Sequence, residues 1–254
     1  MPEGPPSARK IDRFLDGRLQ LRQSATGHRA GTDAVLLAAA LGSPEGMLID
    51  AGAGAGAAGL MMAQRAPALE ALLVEFDPES AHLARGNIAL NGLENRVRVI
   101  EADLLSAKAR RAAGLEDRSA DVVVTNPPWI APGRSRVSPD ARRALAHVAG
   151  AGGLEGWLRA VAAIAKPDAL MAIILRGEDL KALLDACEGR FGALAILPVH
   201  PRATDAAIRI VATGRRGARA AARLLPGLVL HDRDGNFTPR AQALHRGEAT
   251  LDLA

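Results

Sequence analysis

The segment TNPPWI, residues 125–130, places polar, rigid and aromatic side chains directly after an apolar run. Asn126 carries an amide oxygen that accepts a hydrogen bond, and the carbonyl of Pro127 supplies a second acceptor nearby. Pro127 and Pro128 fix two φ angles, so the backbone that holds these acceptors is stiff. Trp129 offers a flat face on which a base can stack, a contact that contributes roughly 1–3 kcal/mol per base in nucleic-acid sites. Two acceptors beside a stacking platform suit a planar amine.

The chemistry that fits such a site is group transfer to an exocyclic nitrogen such as adenine N6. This nitrogen is a weak nucleophile because its lone pair is delocalised into the ring. Two acceptors that hold both N–H bonds orient the amine and stabilise the positive charge that develops on it, so no metal or strong base is required. The alternative is that the prolines only terminate a strand and the tryptophan belongs to the core.

A glycine-rich stretch, residues 50–56, follows an earlier apolar segment and precedes a helical one. Glycine permits a tight turn and the close approach of a ligand, and the next helix presents free N–H groups. About 20 residues further on, Glu75 ends a second apolar segment, where a carboxylate can accept hydrogen bonds from a ribose diol. The candidate cofactor residues from this pattern are therefore Gly52, Gly54, Gly56 and Glu75. Because Gly54-x-Gly56-x-x-Gly59 also fits the dinucleotide fingerprint, a nicotinamide-dependent oxidoreductase is an alternative, as is a glycine turn without a ligand.

A third acidic position, Asp103, ends the segment RVRVIEAD. Its carboxylate can accept a hydrogen bond from the exocyclic amine of a nucleoside cofactor. Asp103 also precedes LLSAKARR, where an aspartate suits the N-cap of a helix. The two roles are compatible.

The elements that must position these residues alternate between strands and helices from residue 46 onward, which predicts a mainly parallel sheet with right-handed crossovers. The last two strands, GALAILPV and IRIVATG, have no helix between them and are predicted to pair antiparallel at one edge. Before the core, FLDGRLQLRQ predicts two short strands around the turn Asp16-Gly17. GRRGARAAAR is predicted to be a loop, and LLPGLVLHDRDGNFTP a small strand and turn.

The composition fits one α/β domain, with 254 residues of which 48% are hydrophobic. The lone Cys187 cannot form an internal disulfide, which indicates a reducing compartment. The first ten residues have no apolar stretch and no run of 18 apolar residues exists, so neither a secretion signal nor a membrane span is expected, and a cytoplasmic location is predicted. The scattered histidines show no zinc spacing, so no metal is expected.

The net charge of +4 rests mainly on arginine. It reflects either a compositional bias or a polyanionic partner. RSRVSPDARR, after the NPPW segment, is either a solvated loop or a grip for phosphate; it contains Arg134, Arg136, Arg142 and Arg143. A second set lies around the last strands: Arg202, Arg209, Arg215, Arg216 and Arg219. Both sets form an RNA footprint if they fall on the carboxyl-end face of the sheet.

Four motifs together, DAGAGAG, VEFD, EAD and NPPW, resemble the Rossmann-like class I methyltransferases that use S-adenosylmethionine. The NPPW element is typical of members that methylate planar amino or amide nitrogens. The flanks LDGRLQLRQSATGHRAGTDAVLLAAAL and LLPGLVLHDRDGNFTPRAQALHRG resemble the bacterial valine-tRNA adenine-N6 methyltransferase family, and this resemblance covers most of the chain. It implies an α/β fold with a seven-stranded mixed sheet, core-strand order 3-2-1-4-5-7-6, and helices on both faces.

The resemblance also implies one methyltransferase domain over residues 1–254. Residues 1–8 are expected to be disordered, 11–42 to cover cofactor or substrate, 46–214 to form the core and 215–254 a C-terminal extension. S-adenosylmethionine is the implied cofactor, tRNA the implied partner and adenine N6 beside the anticodon the implied target. Alternatives are a protein glutamine amide, guanine N2 of ribosomal RNA, and a non-catalytic RNA-binding module.

The family roles transfer to individual positions of this chain. The glycine loop and Asp50 are implied to surround the methionine part of the cofactor. Glu75 is implied to hold the ribose, and Asp103 the adenine side. Thr32 and Asp33 of GTDAVLL are implied to cover the cofactor. The implied catalytic residues are Asn126, Pro127 and Trp129, and the implied substrate-binding residues are Pro128, Arg134 and Arg136. The chain has Trp129 where tyrosine is commoner, which preserves stacking but changes the width of the pocket.

Overall fold

A computed structural model describes residues 11–24, 29–128, 148 and 150–253. It begins with β1 (Ile11–Phe14) and β2 (Leu19–Arg22), which pair antiparallel. The turn between them passes through Asp16 and Gly17, both with positive φ, so the predicted hairpin is confirmed. α1 (Thr32–Ala39) follows and is buried along most of its length.

Strands and helices then alternate as the sequence predicts. The first part contains β3 (Gly46–Ala51), α2 (Ala57–Arg65), β4 (Leu69–Glu75), α3 (Pro78–Leu90), β5 (Val97–Glu101), α4 (Ala107–Ala112) and β6 (Ala120–Thr125). The second part contains α5 (Gly153–Ile164), β7 (Ala165–Arg176), a 3-10 turn (Gly177–Asp179), α6 (Leu180–Cys187), β8 (Phe191–His200) and β9 (Arg209–Arg216). The described chain after β9 contains β10 (Arg223–Leu224), β11 (Leu228–Val229) and α7 (Pro239–His245).

The main sheet has the strand order β5-β4-β3-β6-β7-β9-β8, so its core strands take the predicted order 3-2-1-4-5-7-6. β9 runs antiparallel to both β7 and β8, which confirms the predicted antiparallel pair. The predicted count of seven strands is wrong, because β10 and β11 each add a short parallel pairing to β8 and make a nine-stranded sheet. GRRGARAAAR is likewise not wholly a loop, since β9 continues through Arg216 and β10 begins at Arg223.

Helices cover both faces of the sheet, as predicted. One apolar core packs α1, α2, α3 and α7 against the first face and also receives the hairpin leucines Leu19 and Leu21. The second core packs α5 and α6 against the other face and contains Trp157 and Cys187. Burial raises the pKa of the Cys187 thiol to about 12, so this side chain is a neutral core residue. No helix in the described part of the chain is long and apolar enough to cross a membrane.

Gly59 sets how closely α2 approaches the sheet. A Cβ added at this position would lie 2.4 Å from Leu73 Cδ2 and 3.0 Å from Asp50 Oδ2. The helix therefore packs on β3 and β4 at a distance that only glycine allows. The third glycine of the fingerprint spacing thus serves helix packing.

We expect Gly59→Ala to lower the free energy of unfolding by about 1–3 kcal/mol, because the methyl group overpacks the interface with Leu73. Gly86→Ala is the matched control: it lies in α3 and has open space around its added Cβ. Since glycine is unfavourable inside a helix, this control should gain roughly 0.5–1 kcal/mol. Urea unfolding of both variants measures the difference, and equal changes would contradict the packing role of Gly59.

Candidate active site

The carboxyl ends of the four adjacent strands β5, β4, β3 and β6 bring the candidate residues together at one end of the sheet. This end is called the carboxyl edge, and the end at which these strands begin is the opposite edge. Ala51, the last residue of β3, pairs with Val74 of β4 and with Thr125 of β6. Glu75 pairs with Glu101 at the end of β5. Because neighbouring strands are about 4.8 Å apart, the glycine loop, Glu75 and Asn126 are close neighbours in space.

The glycine loop has a left-handed backbone at three positions. Gly52, Gly54 and Gly56 have φ values of 75°, 57° and 88°, which side chains with a Cβ rarely adopt. The Gly52 N–H and the following N–H donate to the Val74 carbonyl at 2.9 and 3.0 Å, which fixes the loop on β4. A Cβ added at Gly54 would meet no atom within 4 Å, so the loop is open to a ligand there.

Glu75 faces this open position. Its Oε2 accepts a hydrogen bond from the Gly54 N–H at 2.7 Å, and its Oε1 accepts from the N–H groups of Phe76 and Asp77 at 2.8 Å each. Burial raises the pKa of Glu75, and these backbone donors oppose that rise. A carboxylate oxygen accepts about two hydrogen bonds, so Oε2 retains capacity for a ribose hydroxyl. The donor set therefore fits a nucleoside.

Asp50 lies beneath the loop and is 2% exposed. Its Oδ2 accepts a hydrogen bond from the Gly59 N–H at 2.8 Å, which ties β3 to α2. Burial raises the pKa of Asp50 to about 7, the Gly59 N–H lowers it, and the charge of Glu75 adds to the rise. Asp50 therefore changes its charge near neutral pH.

We expect the free energy of unfolding to fall as pH rises from about 4 to about 7, because folded Asp50 holds a proton in this range and the unfolded carboxyl does not. Asp50→Asn should flatten this slope and increase stability at pH 8, since its amide oxygen keeps the Gly59 bond without a buried charge. The gain should be about 1–3 kcal/mol. Chemical denaturation at several pH values measures it, and parallel pH profiles for wild type and variant would refute the assignment.

A buried relay of two hydrogen bonds, both made by the Thr125 hydroxyl, lies below the glycine loop and the NPPW segment. Thr125 Oγ1 donates to the Ala51 carbonyl at 2.8 Å and accepts from Trp157 Nε1 at 3.0 Å. A Cβ added at Gly52 would be 3.0 Å from Trp157 Cη2, so the indole forms the floor of the glycine loop as well. Sequence reasoning missed Thr125 and Trp157. The only signal was a hydroxyl directly before Asn126.

Thr125→Val preserves the shape of the side chain but leaves the buried Trp157 N–H without an acceptor. We expect a loss of about 1–3 kcal/mol in unfolding free energy. Thr125→Ser keeps the hydroxyl and should lose only about 0.8 kcal/mol, the value of one buried methylene-sized group. A serine variant as unstable as the valine variant would show that packing, and not the relay, sets the stability here.

The NPPW segment is described as far as Pro128. Pro127 is buried, while Asn126 and Pro128 are partly exposed next to the glycine loop. Five predicted site or RNA-contacting residues lie outside the described residues: Trp129, Arg134, Arg136, Arg142 and Arg143. Residues 1–8, which were expected to be disordered, also lie outside them.

Asp103 follows β5 at the same edge. Its Oδ1 accepts from the Leu105 N–H at 2.9 Å, but the N-cap of α4 is Ser106, so the N-cap interpretation of Asp103 is wrong. The cofactor role of Asp103 stays a prediction. Phe76, which sequence reasoning missed, is 56% exposed directly after Glu75. The chain has only four phenylalanines, so an exposed one at a strand end is a second candidate surface for a nucleobase.

Thr32 and Asp33, at the start of α1, contact helix α7 and strand β9, respectively. The Asp33 carboxylate accepts from Arg209 Nε at 2.9 Å, and Thr32 Oγ1 lies 3.4 Å from His245 Nε2. Burial and the neighbouring His231 lower the pKa of His245. These contacts hold the start of α1 at the carboxyl edge, and a cofactor role of Thr32 and Asp33 stays a prediction.

The second set of arginines does not form one footprint. Arg209 begins β9 at the carboxyl edge and Arg202 follows β8 there, whereas the other three lie at the opposite edge because β9 is antiparallel. At that edge Arg215 donates to the Asp168 carbonyl and Arg216 to the Ala162 carbonyl, beside a cavity of about 350 Å³. The hypothesis that this whole set contacts RNA on one face is therefore wrong. Among the described residues, no acidic, histidine or cysteine cluster suits a metal.

Comparison with known proteins identifies the family. Residues 26–164 match the family described as Methyltransferase small domain. A tRNA1(Val) (adenine(37)-N6)-methyltransferase from Porphyromonas gingivalis is 29% identical and is covered over 91% of its length by 90% of this chain. The enzyme of the same description from Aeromonas hydrophila is 30% identical. The match covers 86% of that enzyme and 84% of this chain.

Solved structures agree with this result. A chain from Agrobacterium tumefaciens described as a predicted O-methyltransferase has a TM-score of 0.73 and 33% identity, covering 98% of that chain and 86% of this one. M. jannaschii TYW2 in complex with AdoMet has a TM-score of 0.55 and 14% identity, which shows likeness of fold alone. These matches do not support the nicotinamide alternative. The chain belongs to the methyltransferase small domain family, in the group of the tRNA1(Val) (adenine(37)-N6)-methyltransferases.

Proposed function

We propose that this protein is an S-adenosylmethionine-dependent methyltransferase that modifies N6 of adenine 37 in a valine tRNA. The observation that carries the proposal is the register of β3 with β6, in which Ala51 pairs with Thr125. This register sets the glycine loop and the acceptor Asn126 side by side on neighbouring strands. The substrate is inferred from relatives that match this chain over most of its length.

The donor side is formed by the glycine loop, Asp50 and Glu75, with Asp103 and Phe76 further along the edge. When bound, the cofactor supplies an electrophilic methyl group on a sulfonium. The open backbone at Gly54 admits the ligand, and the free acceptor capacity of Glu75 Oε2 suits a ribose hydroxyl. The acidic groups of Asp50 and Glu75 lie close to the proposed position of a cationic ligand, whose charge would favour their ionised forms and so couple ligand binding to proton release.

The acceptor side is formed by Asn126 and the Pro127 carbonyl. The two acceptors would hold the N–H bonds of an exocyclic amine and stabilise the positive charge that develops on nitrogen while the N–CH3 bond forms and the S–CH3 bond breaks, leaving a neutral thioether; the amine would then release one N–H proton to solvent. Burial of Pro127 and the fixed proline φ angles keep these acceptors in place on the end of β6. In this proposal Trp129 stacks on the base, which is turned out of its loop, and Arg134 and Arg136 contact the RNA backbone.

We expect Asn126→Ala to lower kcat about 100- to 1,000-fold, because one of the two acceptors for the amine is lost. The affinity for S-adenosylmethionine should change less than about twofold, since Asn126 is on the acceptor side. Asn126→Asp keeps the acceptor oxygen and should retain more activity than the alanine variant. Single-turnover methylation and calorimetric titration measure the two quantities, and full RNA methylation by the alanine variant would refute this mechanism.

The substrate is tested with unmodified valine tRNA transcripts carrying adenine or guanine at position 37. Mass spectrometry of digested nucleosides should detect N6-methyladenosine only in the adenine transcript. Modification of the guanine transcript, or N2-methylguanosine in ribosomal RNA, would contradict the proposed target. Loss of N6-methyladenosine from tRNA of a deletion strain provides the matching test in cells, and methylation of a protein glutamine would favour the protein alternative.

A further inference from the structure

Asn87 is a buried polar side chain on α3 with no solvent exposure. Its Oδ1 accepts from the Arg22 N–H at 2.7 Å, and its Nδ2 donates to the Arg22 carbonyl at 2.9 Å. The second Nδ2 proton is directed to the Ala55 carbonyl, also at 2.9 Å. One amide group therefore bonds to the hairpin strand β2 and to the glycine loop at the same time.

Asn91, one helical turn further on, contacts the same strand. Its Oδ1 accepts from the Gln20 N–H at 2.8 Å and its Nδ2 donates to the Gln20 carbonyl at 2.7 Å. The rise over four helical residues is about 6 Å and the rise over two strand residues is about 6.7 Å, so the two amides match alternate peptide groups of β2. The asparagines thus replace a neighbouring strand for this edge of the hairpin.

The two asparagines differ in one respect. The other Nδ2 bond of Asn91 goes to the Asn87 carbonyl in its own helix, at 2.7 Å, and not to the loop. Ala55, the loop partner of Asn87, lies between Gly54, whose N–H binds Glu75, and the left-handed Gly56. Asn87 therefore holds, through the Ala55 carbonyl, the part of the loop that faces the cofactor in the proposed function.

We propose that Asn87 is a positioning residue that couples docking of the β1–β2 hairpin to the conformation of the glycine loop. The inference rests on the proposed function in that the loop binds S-adenosylmethionine. Because binding couplings are reciprocal, cofactor binding then stabilises the docked hairpin, and the docked hairpin raises cofactor affinity.

Hydrogen exchange of the full-length wild-type chain tests the coupling without a variant. S-adenosylmethionine should slow exchange of the Gln20 and Arg22 amides, which donate to the two asparagines. Slower exchange in the glycine loop shows that the ligand is bound. Protection of the loop without any added protection of β2 would overturn the inference.

A matched pair of variants separates positioning from general stability. Asn87→Ala should raise the Kd for S-adenosylmethionine about tenfold, the effect of one lost buried hydrogen bond, and remove the ligand-dependent protection of β2. Asn91→Ala loses the same kind of hairpin bonds but no loop bond, and should change the Kd less than about threefold. Equal effects of the two variants on Kd would overturn the inference, and if Asn87→Ala does not fold, the wild-type exchange experiment decides.

Failure of the proposed function has a different signature. If the wild type binds S-adenosylmethionine and protects β2 but leaves tRNA unmodified, the coupling holds and the substrate proposal fails. If the wild type does not bind S-adenosylmethionine at all, both proposals fail. Calorimetry with the cofactor alone distinguishes these outcomes.

Discussion

Parallel pairing of β3 with both β4 and β6 is the constraint on which the rest of the site depends. This register ends three strands at one level, so that the backbone sets the Glu75 carboxylate, the glycine loop and Asn126 side by side. A one-residue slip would turn every side chain of a strand to the other face. The buried Thr125 hydroxyl, bonded to the Ala51 carbonyl, holds the register of β3 and β6 where it matters most.

The same arrangement carries an energetic cost. Two acidic side chains lie close together beneath and beside the loop, and burial raises the pKa of both. Backbone N–H groups from the start of α2 and from the loop after β4 offset part of the cost of desolvation. Folding therefore leaves two acidic groups whose ionisation is disfavoured, and a cationic ligand beside them would favour their charged forms.

Much of the fold could be predicted because its signals are local. Alternating apolar segments predict the succession of core strands and helices, the Asp16-Gly17 turn predicts the hairpin, and the missing helix between β8 and β9 predicts their antiparallel pairing, whereas the order of the core strands was implied by the family resemblance. β10 was missed because it has two residues, too few to show any periodicity, whereas β11 corresponds to the small strand predicted within LLPGLVLHDRDGNFTP. The distribution of Arg209 and Arg215 over opposite edges follows from the direction of β9, although the two residues are close in sequence.

The motif residues of the candidate site could be predicted from the sequence, but the buried residues that hold the motifs in place could not. Glycines, Glu75 and the NPPW segment are recognisable because their chemistry requires those residue types at those spacings. Asn87 and Trp157 were not, because their partners are backbone groups and side chains from distant segments that only the folded register brings near. The spacing of Asn87 and Asn91 over one helical turn was the sole sequence signal for their hydrogen bonds to β2.

The position of Trp157 has a spectroscopic consequence. The chain has no tyrosine and only two tryptophans, so its intrinsic ultraviolet emission comes almost entirely from two indoles. One of them, Trp157, is buried and bonded to Thr125, and it lies so close to Gly52 that a Cβ added there would be 3.0 Å from the indole. An indole in that position responds to any change in the polarity or packing of the loop above it. The protein therefore carries a native optical reporter in the floor of its glycine loop.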